Sequence, residues 1–390
     1  MHELLEEQGE LHPGVEAPAE SRSAVESLRP IFTGTGAEYF RIWLVNLTLT
    51  VATLGIYSAW AKVRRLQYFD RNTHLAGAVL DFRGNPLAIL RGRLLAIVML
   101  AMYQYAFGFS PQMAIAIVTA LGLALPFLMR GALRFRLQNT QYRGLRFDFN
   151  GGAGGAYLTF LPVLLVFVLP GLLVTLFPGE PFVFWSFLLY LLWPAFHARL
   201  KSYQHRHVQF GAARSQYAGS VWAFYRFYLT AFGLILAVGV ACTLIGAVGA
   251  IVFKVAGGAN PLFGAIGIAA LVALSYLAML MTFPYMAARV HNWVWSRTSF
   301  PGVTFHSDMS ARAFARLQLV NVLLTLVTIG LYRPFAAVRI HRFKLAALTV
   351  VADTGFEQVI AAAAAGAPSA AGDGAAGDGA ADFFGFDLSW

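Results

Sequence analysis

The stretch Asn46-Leu-Thr-Leu-Thr-Val-Ala-Thr-Leu-Gly-Ile-Tyr57 returns as Asn321-Val-Leu-Leu-Thr-Leu-Val-Thr-Ile-Gly-Leu-Tyr332, at a constant offset of 275 residues. Asn, two Thr, Gly and Tyr keep their places, and a Val-Arg pair follows each copy, Val63-Arg64 and Val338-Arg339. A repeat at fixed offset has to be recognised before any local reading of the fold. This one lies in apolar sequence of membrane type, which points to a polytopic protein built from internal repeats.

Working outward, the 390 residues are 58% hydrophobic and 12% charged, with a mean hydropathy of +0.61. That composition excludes an ordinary soluble globular domain. Between Tyr39 and Ala352 stand 27 Lys and Arg against five acids, Asp70, Asp81, Asp148, Glu180 and Asp308. The cations flank apolar runs, so the net charge of +10 reads as positive-inside topology with attraction to anionic headgroups, and not as nucleic-acid binding. Cys242 stands alone in an apolar run, which leaves no disulfide or cysteine metal cluster.

A second motif recurs at shorter spacing. Asn72-Thr73 through Gly77 and Asp81-Phe82 to Gly84 matches Asn139-Thr140 through Gly144 and Asp148-Phe149 to Gly151, with weaker echoes at Arg206–Gly211 and Arg297–Phe305. A Gly between short alternating runs predicts a β-hairpin at each copy. Basic residues precede each one: Lys62, Arg64 and Arg65; Arg130, Arg134 and Arg136; Arg199 and Lys201; Arg289. The positive-inside rule then places all four hairpins, and both chain termini, in the cytoplasm.

Paired apolar stretches lie between the hairpins: Leu87–Phe109 and Pro111–Met129, Tyr157–Phe177 and Phe182–His197, Trp222–Phe253 and Leu262–Ala288. Paired across a turn, these stretches predict six full transmembrane helices in three helical hairpins. The terminal units are too short for two spans, Ala59 standing 27 positions after Phe32 and Pro334 29 positions after Phe305. A re-entrant pair breaking at Thr53-Leu-Gly55 and Thr328-Ile-Gly330 keeps every basic end inside, and single spans are the alternative. The fold expected is an all-α polytopic one with internal repeats and short cytoplasmic β-hairpins. Residues 1–30 read as a disordered acidic tail, 31–349 as the membrane domain, and 350–390 as an Ala/Gly-rich low-complexity tail.

The run from Glu38-Tyr39-Phe40 through Thr53-Leu-Gly-Ile-Tyr-Ser-Ala-Trp60-Ala-Lys-Val-Arg64, then Tyr68-Phe69 and Asn72-Thr73, resembles the YjgN-like family of bacterial inner-membrane proteins. The likeness covers about Ile31 to Thr349. It departs at Ser58-Ala59, where a Pro is expected before Trp60; the second copy has it, Arg333-Pro334. The resemblance implies a polytopic inner-membrane protein and brings neither substrate nor catalytic residues.

Asn46, Thr50, Thr53 and Tyr57 fall on one stripe of a helix, repeated by Asn321, Thr325, Thr328 and Tyr332. Such a stripe serves either as interhelical hydrogen bonding or as the polar lining of a cavity at membrane depth. Lys62, Arg64, Arg65, Arg130, Arg134, Arg136, Arg199, Lys201, Arg339 and Arg342 are candidate contacts for anionic headgroups. His197, His205 and His207 cluster among cations, which disfavours a metal site; Asp81 and Asp148, beside Arg83 and Arg146, read as structural ion pairs. No carboxylate lies in a span and no nucleophile–base set or phosphate loop is present, so an enzyme and a cofactor are not expected. Two functions remain: a permease or channel for a small solute or lipid, and a non-transporting scaffold that binds lipid through its basic hairpins. Membrane lipids are the expected partners, and the oligomeric state is not encoded legibly.

Overall fold

The computed structural model describes residues 25–255 and 261–366. Most of the acidic tail, the turn at 256–260 and the Ala/Gly run beyond 366 lie outside the described residues. The chain opens with strands β1 (Glu26–Leu28) and β2 (Ile31–Phe32), then helices α1 (Gly36–Ala52) and α2 (Ser58–Arg71). The hairpin β3 (Thr73–Leu75) and β4 (Ala78–Phe82) leads to α3 (Pro86–Phe109) and α4 (Pro111–Gln138). Next come β5 (Thr140–Tyr142), β6 (Leu145–Phe149), α5 (Ala153–Leu176), and a 3₁₀ segment, Pro181–Leu192, that runs into α6 (Trp193–Arg206). They are followed by β7 (Val208–Phe210), β8 (Ala213–Arg214), β9 (Gln216–Tyr217), α7 (Val221–Val255) and α8 (Pro261–Trp295). The last elements are β10 (Thr298–Phe300), β11 (Val303–Ser307), α9 (Ala311–Val327), α10 (Arg333–Ala346), β12 (Leu348–Ala352) and α11 (Phe356–Ala365).

Six of the described helices are long and apolar enough to cross a bilayer, and they fall on the six stretches expected to span. Local sequence sets their ends. Asn85 Oδ1 accepts from Leu87 N–H at 2.9 Å and Ser110 Oγ from Met113 N–H at 3.2 Å, each before a Pro in the first helical turn. At the other end the Asn-Thr pairs close the helix on itself: Asn139 Nδ2 donates to Phe135 O and Thr140 Oγ1 to Arg136 O. Two departures from the expected spans stand out. Helices α4 and α8 continue well past Met129 and Ala288, and the fourth arm begins as 3₁₀ helix, a form rarely kept up for 12 residues.

From α1 to α10 each helix packs on its neighbours in sequence, and α10 returns to pack on α1. The described helices therefore form a closed circuit, in which no pair from opposite sides packs along its length. The strands do the same at one end. A seven-stranded sheet runs β2-β3-β4-β5-β6-β7-β8 and a five-stranded one β1-β12-β11-β10-β9. The chain joins them at both ends, through Arg29-Pro30 between β1 and β2 and through Ser215 between β8 and β9.

Equivalent side chains lock sheet to helices. Phe82 and Phe149, fully buried, fill the gaps between α2, α3 and α4 and between α4, α5 and α6 respectively; burying such a ring contributes about 1.5–3 kcal/mol. Each ring folds over the glycine two residues on: a Cβ on Gly84 or Gly151 would lie 2.4 Å from it. Only glycine permits that approach.

The expected tail boundary at 349–350 is corrected by the structure. It falls inside β12, which pairs with β11 and, on its other edge, with β1 at Glu26–Leu28. Helix α11 then lies between the two sheets, with Phe356, Val359 and Ala363 buried against Tyr142 and Phe210 of one and Val303, Val350 and Ala352 of the other. Apolar residues at i, i+3 and i+7 give this short helix one face to bury, and the strand circuit closes around it.

Candidate functional site

The two copies of the opening motif fold alike. Helices α1 and α9 have 17 residues each and α2 and α10 have 14, and the bounds of each pair keep the 275-residue offset. Thr35 caps α1, accepting from Glu38 N–H at 3.3 Å, and Ser310 caps α9, accepting from Ala313 N–H at 3.4 Å. Seventeen residues reach about 25 Å, short of a hydrocarbon core about 30 Å thick.

The turn at each tip is also shared. Leu54 and Gly55 have φ of 51° and 92°, and Ile329 and Gly330 have 49° and 89°. The left-handed conformation suits the glycines and strains the residue before them, most of all a β-branched Ile. These strained side chains are the most exposed large apolar ones on the hairpins, Leu54 at 95% and Ile329 at 94%.

In the polar stripes the threonines turn inward to their own helix. Thr50 Oγ1 donates to Asn46 O and Thr325 Oγ1 to Asn321 O, both at 2.6 Å. Thr53 and Thr328 donate to Leu49 O and Leu324 O, and accept from Tyr57 N–H at 2.9 Å and Tyr332 N–H at 3.0 Å. Their hydroxyls thus build the turn. The asparagines are different. Asn46 and Asn321 are 7% and 3% exposed, and Asn46 Oδ1 and Asn321 Nδ2 have no hydrogen-bond partner. Asn321 Oδ1 accepts from Arg339 Nη1 at 3.3 Å, while the same nitrogen donates to Tyr332 Oη at 2.7 Å. In the first copy Arg64 lies over the Tyr57 ring, 5.8 Å from its centre. Helix α10 sits between α1 and α9, and no hydrogen bond joins the two asparagines.

The ten basic candidates divide by what they hold. Arg130 Nε donates to Gly151 O at 2.5 Å, and Arg342 Nη2 to Gly34 O at 2.8 Å, each tying a helix to the chain beside a strand. Arg136 Nη2 lies 3.3 Å from Asp70 Oδ1, with its guanidinium 5.2 Å from the Phe82 ring centre. Burial raises the Asp70 carboxyl above the usual carboxylate range, and Arg136 opposes the rise. Arg134 is half-buried with Nε unpartnered. Lys62 and Lys201 are both partly buried, whereas Arg64, Arg65, Arg199 and Arg339 are exposed. The histidines go to separate partners: His197 to Tyr228 Oη, His205 to Thr298 Oγ1, and His207 to Tyr203 O. Asp81 pairs with Arg83 and also with Arg71; Asp148 instead accepts from Phe149 N–H at 2.7 Å.

Grooves open on the described surface, and two of them are lined by arginines. One, of about 680 Å³, is lined by Arg71, Arg83, Arg143 and Arg146 around Asp81 and Gln141; the other, of about 450 Å³, lies between Tyr285 and Arg312. Neither is lined by a stripe residue. The sequence did carry a sign of the first: the two matching Asp-Phe hairpins differ in their arginines.

Against known proteins, this chain is similar to the inner membrane protein YjgN of Salmonella typhimurium strain LT2, 32% identical over 145 residues, 36% of each chain. It is 29% identical over 143 residues to the inner membrane protein YjgN of Escherichia coli K12, 35% of each. The matched part is thus about a third of the length of these relatives. No solved structure matches. A family described as bacterial protein of unknown function matches residues 27–381, nearly the whole chain. With its six apolar helices and its duplicated motif, the chain belongs to this family, DUF898, and over part of its length it is similar to inner membrane proteins named YjgN.

Proposed function

We propose that the protein is a permease- or channel-like protein of the bacterial inner membrane, carrying an amphiphilic solute or lipid along the axis of its helix circuit. The observation behind this is the circuit itself: each helix packs on its sequence neighbours and α10 closes on α1. Such an arrangement surrounds an axis instead of filling a centre. The repeat-built helical hairpins are the units of that wall, and α11, seated between the sheets, closes its strand end. No carboxylate stands in the spans, so an inorganic cation is not the natural cargo.

The terminal pairs enter in this reading as re-entrant hairpins. A strained Leu54 or Ile329, almost wholly exposed, makes physical sense when hydrocarbon surrounds it, since burying the side chain there offsets the backbone cost. The basic ends then lie in the cytoplasm with both termini. The unpaired amide atoms of Asn46 and Asn321 supply the polar lining, because a buried amide without a partner costs a few kcal/mol unless water or solute reaches it.

The second reading, a non-transporting lipid-binding scaffold, is favoured by the stripe threonines, whose hydroxyls are bonded within their own helices. The same variants separate the two. In proteoliposomes, Asn46→Leu and Asn321→Leu should fold and insert as the parent does, yet lose translocation of a headgroup-labelled phospholipid. Lower thermal stability with unchanged translocation per folded molecule would take Asn46 and Asn321 off the passage, and translocation by the parent no faster than in protein-free vesicles would remove the passage and leave the scaffold.

A further inference from the structure

On the seven-stranded sheet, Asp81 of β4 lies opposite Gln141 of β5, and Gln141 opposite Arg146 of β6. Strand alternation puts this row on the face away from Leu80, Tyr142 and Leu145, which pack toward α11. Arg71, Arg83 and Arg143 complete the groove around it, so four guanidinium groups share a lining with a single carboxylate. That carboxylate orients two of them. Arg71 Nε lies 2.7 Å from Asp81 Oδ1 and Arg83 Nε 3.0 Å from Oδ2, with Gln141 Nε2 at 3.3 Å. Both contacts use Nε, which leaves the paired terminal nitrogens of Arg71 and Arg83 without a hydrogen bond to a described residue. The Arg146 side chain makes none to a described residue. Burial alone would raise the Asp81 carboxyl; the hydrogen bonds from Arg71 and Arg83 bring it below the usual range and keep it charged.

The fold does not require Arg71, Arg83 and Arg143, because it repeats the row without them. Asp148, Gln209 and Arg214 stand in the same register across β6, β7 and β8. There the places of Arg71, Arg83 and Arg143 are taken by Gln138, Asn150 and Gly211. The neighbouring hairpin closes with neutral side chains, so the arginine cluster, whose charges repel one another, serves something beyond folding.

We propose that this groove is a binding site for a phosphoryl group, held by Arg71, Arg83 and Arg146 with Arg143 at its far end. The planar guanidinium fork matches two phosphate oxygens at once. Arg83 stands three residues before the first residue of the α3 span, which puts one end of the groove near headgroup level. The other end, at the Arg143-Gly144 turn, lies farther along the strands from the helices. The phosphoryl group therefore belongs either to a phospholipid headgroup or to a soluble phosphorylated compound. The site is independent of whether anything passes along the helix circuit. Arg143 also holds Glu357 of α11, through Nη1 at 2.6 and 2.7 Å, so a ligand there competes with α11.

The test is calorimetric titration of the full chain with inorganic pyrophosphate, in nanodiscs of phosphatidylcholine and in discs that also contain phosphatidylglycerol. Saturable binding is expected in the neutral discs. Arg146→Gln should weaken it by about tenfold or more, the worth of a charge-assisted hydrogen bond, without changing the thermal midpoint. Glu357→Gln, which frees Arg143, should tighten it, and Arg214→Gln in the neighbouring row should leave it unchanged. A phospholipid ligand is indicated if phosphatidylglycerol suppresses pyrophosphate binding in the parent, and a soluble one if both discs give the same affinity. Absence of saturable binding in neutral discs, or equal affinity of the parent, Arg146→Gln and Arg83→Gln, overturns the proposal.

Discussion

Replacing Phe356 by alanine asks whether α11 is part of the core or a fragment of tail. Phe356 is 5% exposed, its ring centre is 6.2 Å from that of Tyr142, and the Arg143 guanidinium lies 5.7 Å from it. Its N–H donates to Glu26 Oε2 at 3.0 Å, a contact the substitution leaves in place. Truncating a buried Phe costs about 3–5 kcal/mol. If α11 opens as a local unit, that loss should appear directly in its opening equilibrium. Amide exchange at Val359 and along Ala361–Ala365 should therefore quicken by about a hundredfold or more, at about 1.4 kcal/mol for each tenfold. Glu357→Gln breaks the ion pair that the next residue of the same helix makes with Arg143. With Glu357 77% and Arg143 22% exposed, that pair is worth less than about 1 kcal/mol, under about fivefold in exchange. Hydrogen exchange followed by mass spectrometry on the detergent-solubilised chain separates the two. If these amides exchange at unprotected rates in the parent, or if both variants act alike, α11 is not docked as described and the closed strand circuit loses its centre.

Two further outcomes follow from buried ionisable groups. His341 packs edge-on against the stacked Phe32 and Phe69 rings, with Nε2 3.3 Å from Thr73 Oγ1. Burial, with Lys344, Arg136 and Arg65 adding, pushes it down to about 4 from 6.5. The folded state thus prefers the neutral ring: its contribution is whole above pH 6.5 and is lost as pH falls toward 4, at most about 3 kcal/mol. The thermal midpoint of His341→Gln should fall less steeply than the parent's across that window; parallel curves would refute this. Arg136→Met leaves the buried Asp70 uncompensated and should cost about 3–5 kcal/mol, whereas Asp70→Leu combined with Arg136→Met should recover most of it. A double variant as unstable as the single one would show that Arg136 acts through its packing on Phe82 instead.

The sequence by itself determined the elements. The duplicated Asn-to-Tyr motif and the recurring Asn-Thr and Asp-Phe hairpins mark units whose ends are capped and turned by nearby residues, and signals of that kind are local. The six apolar stretches needed only length and hydropathy. Tertiary structure decided how the units meet, because pairing between β4 and β5, or packing of α10 on α1, joins segments far apart in the chain through faces with no pairing signature of their own. It decided the stripes too: the threonines reach their own backbone, while Arg339, across the turn, donates to the Asn321 side-chain amide oxygen. Most plainly it decided α11. Ala361 to Ala365 reads as low complexity because alanine carries little hydrophobic signal. Its small side chain is nevertheless what lets a helix fit between two sheets, with Ala363 2% exposed and its carbonyl accepting from Ala212 N–H at 2.8 Å. Close approach of backbones is a property of the partner surfaces, and neither surface exists until the strands have closed.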